Sequence, residues 1–432
     1  MSEPPRVRPP HPFLYFLLFL PFGATSGFIM VTIGSLAGKA GLSDTVIAGM
    51  VATNTLPHTW KFLWAPLVDT VWTGRGWYVS SNLVSSAAII SLGFIPISSS
   101  TVALMTGIIF INGLSTTFIG MCTESLMARL TPPEQRGAAG GWSQAGNLGG
   151  ATIGGLGLIL VDNTAYPWIA SVIVGGMLFA CSGVLMFVRE PPPPDPRPRF
   201  LDSLRALGKD IWGLLVDSRR ADKVRPKWLL GLPPVFLYVL SGAGILSIAL
   251  CLMPIGSGGA QNLFAAIAPD WKASDELVSF ANGLISGGAS IVGCLVGGWM
   301  SDQMDKRKAY ALSGVILAGL TFGMALAPRT PYFYAGGVIA YSFALGLCYS
   351  TFTAFVLDII GHTGGATKYN LFASLANMPI YAMALVDGWV ATAHGRTMML
   401  WIDGLAGIGG AVVLMGVVWI LRQRHLDPPP AA

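Results

Sequence analysis

Twelve apolar stretches of spanning length recur along this 432-residue chain, at approximately 13–36, 46–68, 77–97, 101–128, 137–161, 166–188, 229–253, 277–300, 309–327, 331–357, 369–392 and 398–421. A helix rises 1.5 Å per residue and bilayer hydrocarbon is about 30 Å thick, so about 20 apolar residues suffice for one crossing. Backbone polar groups in lipid must be satisfied internally, and apolar runs this long, without strict alternation, predict helices rather than barrel strands. The expected fold class is an all-α integral membrane protein with twelve transmembrane helices. Charged residues make up 11% of the sequence, against about a quarter in soluble domains, which excludes a large water-soluble catalytic domain. Pro57 and Pro379 fall inside runs and Pro254 directly follows one, and each lacks the amide donor an unbroken helix needs, so each predicts a bend or interruption.

The net charge of +5 reads as topology rather than as a nucleic-acid surface. With the N-terminus inside, the even-numbered connections and both tails hold 21 of the 26 Lys and Arg, while the other connections hold only Lys39, Lys272, Arg329 and Arg396. Lys61 alone remains within a span. This is the positive-inside pattern and predicts that both termini are cytoplasmic, in an inner (plasma) membrane. Arg6 and Arg8 before an apolar run also resemble a signal peptide, but that run is too long and lacks a clear small-x-small cleavage site. The sixth connection, 189–228, is different in kind: it opens with Pro191–Pro194 and carries ten basic and six acidic residues. It reads as a cytoplasmic linker with an amphipathic patch around Trp212, or as a regulatory docking segment. The expected division is a six-helix bundle over 1–188, the linker over 189–228, and a second six-helix bundle with a cytoplasmic tail over 229–432.

A single sequence offset ties the two halves together. Asp69, ending the second span, is matched 233 residues on by Asp302, ending the eighth. Glu124 is matched by Asp358 at 234, Arg136 by Lys368 at 232, and Gln144 by Asn377 at 233. Acids at membrane edges are scarce in this chain, so a shared register predicts duplicated bundles related by a pseudo-two-fold axis along the membrane normal.

The stretch Ala65-Pro-Leu-Val-Asp69 with Gly74-Arg75, and its counterpart Gly298-Trp-Met-Ser-Asp302 with Lys306-Arg307-Lys308, resemble the acidic-then-basic loop of the major facilitator superfamily. In chemical terms an acid at a helix end, with a basic cluster a few residues on, forms an ion-pair latch at a partly desolvated edge. Asp69, Arg75, Glu124, Arg136, Asp302, Arg307, Asp358 and Lys368 are therefore expected to form a cytoplasmic gate. The plain alternative is that such acids reach out to the lipid headgroups. Within that superfamily, Lys61-Phe-Leu-Trp-Ala-Pro66, Gly23-Ala-Thr-Ser-Gly27, Pro133-Glu-Gln-Arg-Gly137, Ala366-Thr-Lys-Tyr369 and Gly388-Trp389 are similar to AmpG-type muropeptide permeases and the related acetyl-CoA transporters. The resemblance covers both bundles but neither 189–228 nor 254–276. It implies a monomeric, proton-coupled secondary transporter of alternating access that imports a small-molecule solute.

Lysine at a helix centre costs about 2.5–3.5 kcal/mol on insertion scales, so Lys61 must face a cavity, a partner or an interface. His58 and Asn54 precede it at helical spacing, and the three are expected on one face, lining a wet path. Gln144, Asn147 and Asn377 are amides at depths that suit solute hydrogen bonds, or else interhelical glue. Asn54, His58, Lys61, Gln144, Asn147 and Asn377 are thus the candidate solute-binding residues. His58, Asp387 and Asp403 are the candidate proton carriers, with pairing to Arg396 as the alternative for the two acids. The favoured solute is polar or anionic, such as a muropeptide-like fragment or an acyl or nucleotide conjugate. A siderophore or drug permease of the same fold, and a non-transporting sensor on a permease scaffold, are the competing readings. No phosphate-binding loop, zinc-protease motif or nucleophile elbow is present, and Cys122, Cys181, Cys251, Cys294 and Cys348 are scattered among apolar residues. Neither enzyme chemistry, a metal site nor a cofactor is therefore expected.

Overall fold

The computed structural model describes residues 9–164, 166–188, 190, 260–261, 263–360 and 365–423. Among these residues there are helices and turns and no strands. The first span runs Phe13–Lys39, the fourth Val102–Leu130, the fifth Pro133–Thr164, the sixth Trp168–Phe187 and the eighth Glu276–Gln303. The ninth runs Lys306–Leu326. The third is Gly74–Leu92, the tenth Pro331–Ile360, the eleventh Gly365–His394 and the twelfth Arg396–Gln423. The seventh expected run, the 189–228 linker apart from Glu190, and Pro254 lie outside the described residues.

Where the chain bends, the cause is local. In the second span the helix Asp44–Thr55 stops at Leu56, a 3-10 turn follows over Leu56–Thr59 and another over Lys61–Leu63, and Ala65–Thr70 resumes the helix. Pro57 withdraws one amide donor and Pro66 occupies the first turn of the resumed helix, where a missing donor is harmless. Pro379 does not interrupt the eleventh helix, contrary to the sequence expectation. The eighth span carries a π-helical turn over Ala281–Ile285, inside which Gly283 leaves helical geometry.

Packing is close because the contacts are backbone against backbone. A Cβ at Gly23 or Gly27 of the first span would lie 1.8 Å or 1.9 Å from the carbonyl oxygens of Asn147 and Ala151 in the fifth. Small residues permit such an approach, and the dispersion it gains replaces the hydrophobic drive that lipid removes. The duplication is visible here too. Gly113 in the fourth span lies against the backbone of Asn54 in the second, and Gly346 in the tenth, 233 residues on, lies against Ser290 in the eighth. One apolar core fills the first half (Leu20, Phe28, Ile89, Ile109) and a second the other half (Leu317, Tyr341, Leu400). A third contains residues of both, Tyr15 and Leu126 with Tyr310 and Phe355.

The 260–271 stretch, which no sequence motif explained, is folded into the second half. Phe264, Ile267 and Trp271 are buried in its core. The Tyr334 hydroxyl donates to the Phe264 carbonyl at 3.0 Å, Arg329 stacks on Trp271, and Arg396 pairs with Asp270 at 2.7 Å.

Candidate functional site

The closing ends of the second, fourth, eighth and tenth spans share one end of the bundle, called here the Asp302 end. Asp302 closes the eighth span directly beneath the start of the fifth helix, Arg136–Gly155. Its two carboxylate oxygens accept from the backbone N–H groups of Gly137 at 2.7 Å and Ala138 at 2.8 Å. These are donors that the first turn of a helix cannot satisfy internally, at the positive end of its dipole. The approach requires glycine: a Cβ at position 137 would fall 2.3 Å from the Gly298 carbonyl oxygen. Beside this cap, Arg136 reaches Asp358 of the tenth span at 3.3 Å, and Lys306 of the ninth reaches the same oxygen at 3.7 Å. Arg136 is almost fully buried. Further along the interface, the Gln144 amide donates to the Thr353 hydroxyl at 3.0 Å, as does the Tyr369 hydroxyl at 3.2 Å. All these links except those of Lys306 and Tyr369 join the first half of the chain to the second.

The counterpart around Asp69 is built differently. Ser125 donates to Asp69 at 3.4 Å and receives a hydrogen bond from Arg129 at 2.6 Å. Arg75, expected to join the acid, instead donates to the carbonyls of Leu185 and Val188 at the end of the sixth span. The backbone N–H groups of Gly74 and Arg75 donate to the Glu190 carboxylate at 2.7 Å and 3.1 Å. The physical reason is that a helix C-terminus offers unsatisfied carbonyls to a nearby guanidinium. Arg307 donates its backbone N–H to Asp305. Lys368 starts the eleventh helix, and its side chain, like that of Asn377, is outside the described residues.

Lys61 does not line an open path in this conformation. Its ammonium lies 3.4 Å from Glu124 of the fourth span, and both side chains are about 95% buried. Asn370 of the eleventh span lies beside the same carboxyl. The helical stripe expected for Asn54, His58 and Lys61 is broken by the two 3-10 turns, and each residue finds a different neighbour. Asn54 accepts from Asn112 at 3.0 Å. The His58 ring shares a hydrogen bond with Thr116 at 3.3 Å and meets Phe22 edge-on. Gln144 is buried and bonded to both Thr353 and Asn147, so in this conformation it is interhelical glue. Asn112, Thr353 and Asn370 were not singled out in the sequence, and Tyr369 entered only as the end of a motif: a lone amide or hydroxyl in an apolar run is too common to signal a contact.

At the opposite end the ion pairs stay within one half each. Lys39 meets Asp162 at 2.7 Å, and Arg396 meets Asp270 at 2.7 Å. Arg396 is therefore not the partner of Asp387 or Asp403. Both of these acids are fully buried. Asp403 accepts from the Ala260 N–H at 3.4 Å, the Thr321 hydroxyl at 3.4 Å and the Tyr341 hydroxyl at 3.5 Å.

Three comparisons bear on this arrangement. The profile of the Major Facilitator Superfamily matches residues 13–378. The chain is 22% identical over 409 residues to an anhydromuropeptide permease of Escherichia coli (strain K12), covering 92% of this chain and 76% of that one. It is 24% identical over 383 residues to a hexose-6-phosphate:phosphate antiporter of Salmonella typhimurium, covering 79% and 75%. Among solved structures it resembles the human organic anion transporter MFSD10, with a TM-score of 0.70 at 15% identity over 95% of this chain and 100% of that one. It likewise resembles the E. coli fucose:proton symporter FucP, with a TM-score of 0.66 at 13% identity over 94% and 98%.

Proposed function

This chain belongs to the Major Facilitator Superfamily, a multi-pass membrane protein whose relatives are secondary transporters and not enzymes, and we propose that it is a proton-coupled importer of a polar solute. The observation that carries the reading is the distribution of polar links. Among the described residues, those that cross between the halves gather toward the Asp302 end, while the ion pairs at the other end stay inside one half. A protein sealed by breakable polar contacts at one end is built to rock about a central site.

The charge bias of the loops supports a cytoplasmic Asp302 end, with both termini on that side of the inner membrane. The conformation described is then the one closed to the cytoplasm, and solute enters from the outside. Gln144, Asn147 and Tyr369 supply hydrogen-bonding groups where the halves separate, which favours a polar solute. In this state Lys61 is committed to Glu124, so an anionic solute gains its attraction only after that pair opens. The likeness to the anhydromuropeptide permease, which spans most of the chain, makes a muropeptide-like conjugate the first solute to test. His58 and the acids Asp387 and Asp403 are the candidates for the coupled proton. The transporting unit is one chain, since each chain contributes both halves of the path.

The test is uptake of a labelled anhydromuropeptide into proteoliposomes holding the purified protein, with and without an imposed inward proton gradient. Accumulation that depends on the gradient is expected. Uptake indifferent to the gradient removes the proton, and solute passing only outward in right-side-out vesicles reverses the direction.

A further inference from the structure

Asp387 of the eleventh span and Asp403 of the twelfth carry their carboxyls to one another in the interior of the second half. Both side chains are fully buried. Neither oxygen of Asp387 meets a conventional donor among the described residues; the polar group it faces is the other carboxyl. Asp403 is supplied by three uncharged donors, the N–H of Ala260 and the hydroxyls of Thr321 and Tyr341. Among the described residues no cation is paired with either acid. Arg396 is spent on Asp270, Arg329 lies over Trp271 and bonds Thr397, and Lys272 is exposed. From the ninth span the facing group is Thr321, and from the tenth Tyr341, with Cys348 near its hydroxyl. The stretch 228–269, which includes the seventh run, contains no Lys, Arg or His, and its titratable residues are Tyr238 and Cys251. A counter-ion is therefore missing from that stretch by composition alone.

Two buried carboxylates in contact repel each other and lack water to screen them, and such a pair relieves the repulsion by keeping one proton between its members. We propose that Asp387 and Asp403 share one proton and are the site at which the coupling proton is loaded and released. The inference rests on the proton coupling proposed above and selects among its candidates. Loading a second proton neutralises the pair. The bond that Asp403 receives from Ala260 then loses its charge assistance, about half the strength of such a bond. Because Ala260 is buried in one core with Phe264 and Trp271, and Asp270 pairs with Arg396 at the start of the twelfth helix, a change of charge at the acids reaches the 260–271 stretch through one hydrogen bond. His58, in the first half, is held by Thr116 and Phe22, and among the described residues no carboxylate is paired with it, an arrangement of packing rather than proton exchange.

Two measurements on the full chain test this. Infrared difference spectra of the protein in lipid nanodiscs, recorded across a pH titration without any solute, are expected to show a protonated carboxyl in the wild type at neutral pH that is lost when Asp387→Asn and Asp403→Asn are combined. The same signal persisting in the double variant overturns the shared proton. In proteoliposomes with a labelled anhydromuropeptide, an inward gradient of one pH unit supports about tenfold accumulation per coupled proton. The Asp387→Asn variant should lose that accumulation while keeping solute exchange at equilibrium, and Asp387→Glu should restore it. If the wild type exchanges solute but ignores the gradient, proton coupling itself fails. If the wild type and Asp387→Asn both accumulate, coupling stands and the assignment to this pair is wrong.

Discussion

Replacing Asp302 with asparagine removes the charge that holds the two halves together while keeping the size of the side chain. In the wild type the carboxylate accepts two backbone hydrogen bonds from the fifth helix, at 2.7 Å and 2.8 Å. Hydrogen bonds to charged groups contribute about 1.5–3 kcal/mol each, and an anion at a helix N-terminus adds about 0.3–1 kcal/mol. Asparagine retains one acceptor oxygen, now neutral, so about 2–3 kcal/mol of the closed-state preference is lost. That corresponds to a shift of about 30- to 150-fold toward the conformation open at the Asp302 end, at 1.36 kcal/mol per tenfold. Spin labels at Glu134 and Lys308, both exposed at that end on opposite halves, report the separation by double electron–electron resonance in a background without native cysteines. The distance distribution should move to longer values in Asp302→Asn. An unchanged distribution in a protein of unaltered thermal stability would show that the cap does not bias the equilibrium, and the latch reasoning falls with it.

Other consequences are equally direct. Lys61→Met leaves Glu124 buried without its cation and should destabilise the fold by about 3–5 kcal/mol, while Lys61→Met combined with Glu124→Gln recovers most of the loss; thermal unfolding of the three proteins checks this, and equal costs for single and double variants contradict it. Arg136→Ala should weaken closure at the Asp302 end more than Lys306→Ala, because Arg136 is the closer and more buried partner of Asp358; the spin-label distances rank the two. Gly23→Ala forces a methyl group to within 1.8 Å of the Asn147 carbonyl oxygen and should cost about 1–3 kcal/mol or more. Gly319→Ala meets nothing within 4 Å and should be neutral or slightly stabilising in the same unfolding assay.

What could be read from the linear chain was set by local free energies. Removing about 20 apolar residues from water fixes a span wherever they occur, and the cost of charge in lipid keeps acids such as Asp69, Glu124, Asp302 and Asp358 scarce in the runs, so that their common offset exposes the duplication. The polar cluster around Asp302 was foreshadowed for that reason. Arg75 and Lys61 were not, because their partners are decided by which helix lies alongside. A guanidinium near two helix ends takes whichever carbonyls the packing presents, and those belong to Leu185 and Val188. Lys61 depends further on the 3-10 turns after Pro57, which rotate it away from the face it would share with Asn54 and His58 on an unbroken helix and toward Glu124, 63 residues on. Asp387 and Asp403 were each visible as intramembrane acids. That they meet each other rather than Arg396, and that Ala260 reaches one of them, follows from helix packing and the insertion of 260–271. Transfer energies act residue by residue and are written in the sequence, whereas the pairing of polar groups depends on distance across helices, which only the folded bundle supplies.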